Sequence, residues 1–260
     1  MLKNCPIHVQ VPFRQLNQYF ESVVKHEINI ELYINSDDLD NTSNNQFMEW
    51  EDIMRNRGIK LTIHAPYMDL SPGGVDNKIR QASFERMVQL MDTAKIFNPK
   101  MIIVHPGFDH WRNDYNLNQW INNSCLFWKE ILKYTEDSNF TFAIENIFER
   151  TPETLQKLIE SIASLRFGFC FDTGHFNLFS KSPLDEWLKR LGPYLLETHL
   201  HDNSGDKDTH SPIGDGNFPF SFYFELLSKI SVHPVLTFET HSEEGALASI
   251  KYFKKNYQIN

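Results

Sequence analysis

Eight short apolar runs, each followed by a stretch of helical periodicity, constrain this chain more than any other feature. The runs are Ile7–Val11, Ile28–Tyr33, Leu61–His64, Met101–His105, Thr141–Glu145, Phe167–Asp172, Leu195–His199 and Val235–Glu239. Most are nearly continuous in apolar residues rather than alternating, which predicts parallel strands buried on both faces. Between them, Val75–Phe97 spaces Ile79, Met87, Leu90, Met91, Ala94 and Phe97 at three- and four-residue steps, the mark of a helix with one buried face. Asn118–Tyr134 does the same with Trp120, Leu126, Phe127, Ile131 and Leu132. Pro152 and Pro183 each follow a Thr or Ser, which predicts helices that open with a cap residue and then proline. Ser242–Tyr257 predicts a closing helix whose basic end suits a helix C-terminus.

Repeated strand–helix units over about 250 residues predict an α/β fold, a (β/α)8 TIM barrel, as a single domain spanning residues 1–260. A doubly wound open sheet is the competing architecture, but no GxGxxG or GxxxxGKS/T follows any run. No Pro/Gly/Ser-rich linker or repeat divides the chain, and 21 Phe within 41% hydrophobic residues imply a large packed interior. The apolar runs fall far short of the roughly 20 residues that span a bilayer, and the N-terminus lacks a signal-peptide pattern. Three scattered cysteines, Cys5, Cys125 and Cys170, lack a CxxC spacing and suit free thiols, so a cytoplasmic location is expected. No protein partner is marked. A formal charge of −9 argues against broad nucleic-acid binding, which relies on Lys and Arg neutralising phosphates.

Six of the eight runs finish on an ionisable residue: His64, His105, Glu145, Asp172, His199 and Glu239. With 34 acidic residues and 11 histidines in 260, roughly one position in six is of these types, so chance is a poor explanation. In a barrel these positions converge on the C-terminal rim, where active sites are built. Singly, each has a bland use: a core histidine bonded to a carbonyl, Asp172 as a helix N-cap, a glutamate paired across the mouth. Jointly they read as metal ligands first and acid/base groups second, because several adjacent buried carboxylates need cations. More candidates sit just beyond the strands: His175 in FDTGH, and Asp208 and His210 in the polar stretch HLHDNSGDKDTHSPIGDGN. His201 is expected behind the ligands or facing substrate. Glycines 205, 214 and 216 would let that stretch fold back over the mouth.

In this order the motifs resemble the xylose isomerase-like TIM barrels, specifically the AP endonuclease family 2 branch that includes endonuclease IV. The motifs are IHAPYMDL, VHPG, AIEN, FDTGH, HLHDN, FET and the D-x-H pair followed by IGDGN. The resemblance implies a trinuclear zinc centre. His64, His105 and Glu145 would serve a first ion; Glu145, Asp172, His199 and Glu239 a second; His175, Asp208 and His210 a third. Tyr67 and Met68 match the family's wedge after the third strand. The segment after the second strand, NSDDLDNTSNNQ, departs from the family's arginine-bearing loop, for it has no Lys or Arg.

The chemistry this implies is phosphoester hydrolysis with Glu145 and Glu239 as catalytic carboxylates. Histidine-rich ligation favours up to three Zn²⁺, with Mn²⁺ the alternative at the second, carboxylate-rich site. A phosphorylated small molecule is the expected substrate, and DNA is disfavoured. Tyr67, Met68, His201, Arg112 and Arg150 are the candidate substrate contacts, although surface ion pairing is the commoner use of each arginine. Two other readings stand beside this one. One is a sugar or sugar-phosphate isomerase/epimerase using one divalent metal and the Glu145/Glu239 pair; the other is a non-catalytic metal-binding barrel.

Overall fold

Residues buried on both faces leave a strand no choice but the centre of a layered fold, and the chain's apolar runs are of that kind. In the computed structural model, which describes residues 2–230 and 232–257, both Leu61–His64 and Met101–Val104 are buried throughout. The strands are β1 (Ile7–Pro12), β2 (Asn29–Tyr33), β3 (Leu61–His64), β4 (Met101–Val104), β5 (Thr141–Glu145), β6 (Phe167–Asp172), β7 (Leu195–Leu200) and β8 (Val235–Phe238). They pair in parallel in chain order, and β1 closes on β8 to complete the barrel. The open sheet is therefore excluded, and the predicted (β/α)8 barrel is the fold. Among the described residues no helix is long and apolar enough to cross a membrane.

The helices form the outer layer. The helix Asn77–Phe97 starts where Asp76 accepts a hydrogen bond from Lys78 N and stops at Asn98, which adopts left-handed backbone. Its buried face holds Met87, Leu90, Met91, Ala94 and Phe97 as expected, but Ile79 is exposed at the barrel mouth. In the helix Leu117–Tyr134 the expected Leu126 is likewise exposed. Trp120, Ser124, Phe127, Trp128 and Ile131 form the buried seam, and Leu126 lies about 200° around the axis from Ser124 and Trp128. Pro152 and Pro183 sit one position earlier than predicted, immediately before the helices Glu153–Ile162 and Leu184–Leu191, and neither helix has a side-chain cap. The acidic segment after β2 is not an open loop. It folds into the helix Ser36–Asn41 behind an Asn35–Asp38 capping box, then the helix Asn44–Asn56. Arg14 pairs with Asp37 and Asp38 at 3.2 and 2.8 Å, and Arg86 with Asp40 at 2.6 Å, so cations from other elements tie its carboxylates down.

Aromatic side chains fill the space between barrel and helices. Phe171 on β6 stacks on Tyr223 at 5.2 Å and lies edge-on to Trp187 at 6.3 Å, all three fully buried. The barrel interior differs from one side to the other. Met101, Ile103, Ala143, Cys170 and Val235 make one apolar cluster, whereas His8, Glu31, Thr62 and Glu197 on β1, β2, β3 and β7, with Thr237 on β8, are buried polar residues.

Candidate metal centre and active site

The barrel closure carries the predicted strand-end residues to one rim. His64, Glu145 and Asp172 end their strands, His105 and Glu239 lie one residue past theirs, and His199 is next to last in β7. Glu145, almost fully buried, is the hub. Its Oε2 lies 3.3 Å from His64 Nε2, 3.3 Å from His105 Nε2 and 3.4 Å from His199 Nδ1. Around His199 Nδ1, Glu239 Oε2 stands at 3.0 Å and Asp172 Oδ2 at 3.8 Å. Beside these, Asp208 Oδ2 is 3.3 Å from His175 Nε2 and 3.2 Å from His210 Nε2. The nine predicted residues thus stand together at one rim; His64, His105 and Glu145 form one group at ligand spacing, while His175 also groups with Glu145 and Asp172, and His210 with His201 and Glu239.

These separations suit metal ligation. Tetrahedral bonds of about 2.0–2.2 Å place neighbouring ligand atoms roughly 3.3–3.6 Å apart. His199 Nδ1 and Glu239 Oε2 are both buried and face each other, yet neither has a hydrogen-bond partner. A cation between the two atoms would satisfy both. In three of the imidazoles the other ring nitrogen reaches a backbone carbonyl. His64 Nδ1 donates to Ala65 O at 2.9 Å, His175 Nδ1 to Asn146 O at 3.1 Å, and His210 Nδ1 to Glu239 O at 3.1 Å. A carbonyl can only accept, so in a neutral His64 or His210 ring the lone pair falls on Nε2, the atom aimed at Glu145 or Asp208.

The electrostatics agree. Burial raises the Glu145 carboxyl, but His199 and His105 outweigh it and hold it well below the usual carboxylate range. Glu239 behaves alike: burial opposes ionisation, and His199 and His210 overcome it. Burial lowers His210, yet Glu239 and Asp208 push it up to about 9. Buried opposite charges that hold one another ionised mark a functional-site candidate.

Local sequence explains how each residue is placed. Asp172 ends β6 and also caps the following helix, accepting from His175 N at 2.6 Å, so the capping use and the cluster position coincide. That helix start brings His175 back over Glu145, with His175 Nδ1 3.0 Å from Glu145 Oε1. The stretch after β7 is folded back by Asp202, whose carboxylate accepts from the amides of Gly214, Gly216 and Phe218 at 3.0, 2.9 and 3.1 Å. His210 adopts φ 47°, uncommon for a residue with a Cβ and of the kind stored at functional sites.

The substrate-contact candidates divide. Tyr67, Met68 and Arg112 line a cavity of about 890 Å³ above the cluster, and Tyr67 stacks on His105 at 4.3 Å. Met68, Ile79, Phe108, Phe148 and Phe179 give this cavity an apolar wall opposite the ligands. His201 does not face substrate: inward alternation past β7 buries it completely. Its Nε2 lies 3.0 Å from Asp172 Oδ2, and its ring stacks on His210 at 3.9 Å. Arg150 does not line the cavity; its guanidinium lies over Trp111, 5.8 Å from the ring centre. Sequence reasoning missed Gln10, Glu31, Cys170 and Glu197. Glu31 Oε2 accepts from His199 Nε2 at 3.1 Å, while Cys170 groups with Glu145 and His199, and Glu197 with Glu31 and His199, at metal-ligand spacing. The available signal was a carboxylate inside an otherwise apolar run, NIELY and LLETHL.

Comparison with known proteins matches this arrangement to a family. A family model described as xylose isomerase-like TIM barrel covers residues 29–256. An uncharacterized protein of Methanocaldococcus jannaschii is 28% identical over 211 residues, 77% of this chain and 71% of its own length. A probable endonuclease 4 of Mycobacterium leprae is 21% identical over 212 residues, 78% of this chain and 81% of its own. Among solved structures, a D-tagatose 3-epimerase-like protein superposes with TM-score 0.84 at 24% identity, covering 96% of each chain. A Thermus thermophilus protein soaked with ZnCl2 also reaches 0.84, at 20% identity over 97% of this chain and 98% of that one. The chain belongs to the xylose isomerase-like TIM barrel family.

Proposed function

We propose that the protein is a metal-dependent phosphoesterase acting on a phosphorylated small molecule. The observation that carries this reading is the extra ligand set. His64 and His105 on one side of Glu145, and His175, Asp208 and His210 on the other, are surplus to a one-metal isomerase, yet all converge at ligand spacing. Four or more imidazoles with carboxylates favour Zn²⁺, with Mn²⁺ the alternative where Glu145, Asp172 and Glu239 meet. Bound there, such ions would supply Lewis acidity to phosphate oxygens and lower the pKa of water.

The chain's own residues divide the remaining work. Glu239 lines the cavity as a carboxylate kept ionised by His199 and His210, and is suited to accept a proton there. Glu145, enclosed by three imidazoles, fixes the relative positions of the ligand sets. Arg112, on the rim with its side chain largely exposed and 3.7 Å from Asp109, is free to swing onto a substrate phosphate. The apolar wall of Met68, Ile79 and Phe148 favours a compact, partly apolar ligand over a DNA backbone. So does the acidic helix after β2, already neutralised by Arg14 and Arg86.

A second reading, sugar or sugar-phosphate epimerisation, is favoured by one specific feature: Glu145 and Glu239 flank His199 Nδ1 at 3.4 and 3.0 Å, as a proton-moving pair would. One experiment separates the two. Phosphoesters, abasic-site DNA and keto-sugars are assayed with Zn²⁺ or Mn²⁺, on the wild type and on His64→Ala and His105→Ala. Phosphate release that both variants lose by at least about 100-fold supports the phosphoesterase. Sugar epimerisation that survives in both variants establishes the second reading instead, and abasic-site cleavage replaces the small molecule with DNA.

A further inference from the structure

The middle of β2 reads NIELY, and its one charged residue, Glu31, is completely buried inside the barrel. Taking an isolated carboxylate out of water costs several kcal/mol, so a chain keeps one in such a place only with strong donors around it. Two donors are present. Register places Gln10 opposite Glu31, and Gln10 Nε2 donates to Glu31 Oε1 at 3.0 Å. From across the interior, His199 Nε2 donates to Glu31 Oε2 at 3.1 Å. β2 and β7 are not neighbours in the sheet, since β1 and β8 stand between them. The contact is made only because the barrel closes.

The direction of this hydrogen bond fixes the ring. A neutral imidazole carries one N–H, and an ionised carboxylate can only accept. With the proton on Nε2, the Nδ1 lone pair is directed at Glu145 and Glu239, where it is buried without a hydrogen-bond partner. The opposite tautomer would turn an N–H toward the cluster and could not ligate. His64, His175 and His210 are anchored by neutral backbone carbonyls instead. His175 Nδ1 also lies 3.0 Å from Glu145 Oε1, but of these four imidazoles His199 alone is held by a carboxylate from outside the nine-residue cluster, and a charged acceptor makes a ring nitrogen a stronger ligand.

We infer that Glu31, held by Gln10, is a positioning residue that sets the tautomer and ligand strength of His199, and so selectively strengthens one metal subsite. The inference rests on the metal-centre reading above. It assigns Glu31 no contact with substrate. Its effect is confined to the ion that His199 would share with Glu145, Asp172 and Glu239.

The test uses the full-length protein as wild type, Glu31→Gln, Glu31→Ala and Gln10→Ala. Zn²⁺ affinities are measured by competition with a chromophoric chelator, and imidazole tautomers by ¹⁵N NMR of the zinc-loaded protein. Glu31→Gln keeps an acceptor but loses the charge, and it should weaken one zinc site 10- to 100-fold while the others hold. Glu31→Ala should weaken that site further and remove the His199 Nε2–H tautomer signal; Gln10→Ala should weaken it less. If Glu31→Ala does not fold, the graded order of wild type, Gln10→Ala and Glu31→Gln decides the matter. Equal affinities at every site, or uniform weakening of all sites, overturns the positioning role. A wild type that binds no zinc overturns the metal-centre reading itself, and the positioning role with it.

Discussion

Replacing Asp202 by alanine should release the segment that carries Asp208 and His210. Asp202 is fully buried, and its two oxygens accept from Asn203, Gly214, Gly216 and Phe218 amides at 2.9 to 3.1 Å. Gly216 approaches so closely that an added Cβ would overlap Asn203 O and the Asp202 carboxylate. Alanine leaves three distant amides without their acceptor. At about 1–3 kcal/mol for each buried donor left unmade, and with partial rehydration of a surface segment, the loss is roughly 3–5 kcal/mol. For a chain of this size that lowers the thermal midpoint by roughly 10 °C. Asp202→Asn keeps the shape and one acceptor, so its midpoint should fall between wild type and Asp202→Ala. Circular-dichroism melting of the metal-free proteins gives the order, and limited proteolysis locates the opening within residues 203–218. A midpoint shift below about 2 °C for Asp202→Ala would refute the claim that this carboxylate holds the segment.

Two further predictions come from other parts of the rim. Burial pushes the Glu149 carboxyl up to about 7, against the pull of the Ile147 amide that donates to it at 2.7 Å. The folded protein therefore binds this proton more tightly than the unfolded chain, so the contribution of Glu149 to stability is fully present below about pH 4 and is lost as pH rises to about 7. The fall is about 3 kcal/mol in all, and urea midpoints of Glu149→Gln should lack it; an identical pH profile in the two proteins contradicts it. Gly174→Ala would set a Cβ into the His201 ring. Overpacking there should cost about 1–3 kcal/mol and displace His201 from Asp172, which melting and histidine NMR would register together.

The site's ligands were legible because parallel strands buried on both faces have few reasons to end on His, Asp or Glu, and the barrel sends every such end to one rim. LTIH, FAIE and FCFD therefore declared His64, Glu145 and Asp172 without any structure. Asp208 and His210 stood out by the crowding of His and Asp in one polar stretch, and resemblance to a family then assigned them to a third ion. Glu31 and Glu197 were not legible, since only closure and register reveal which mid-strand residues meet inside. Of the two placements expected for His201, the structure shows the one behind the cluster, against Asp172, whereas the exposed Arg150 found an aromatic neighbour instead of the cavity. Leu126 shows the same limit on a helix, where a large apolar residue sits on the solvent side because Trp128 already fills the seam.

The central claim is that nine side chains form three adjoining cation sites. The most direct test is anomalous diffraction at the zinc edge from crystals grown with Zn²⁺. The account predicts three peaks: one between His64, His105 and Glu145, one between Glu145, Asp172, His199 and Glu239, and one between His175, Asp208 and His210. A single peak beside His199 would contradict it.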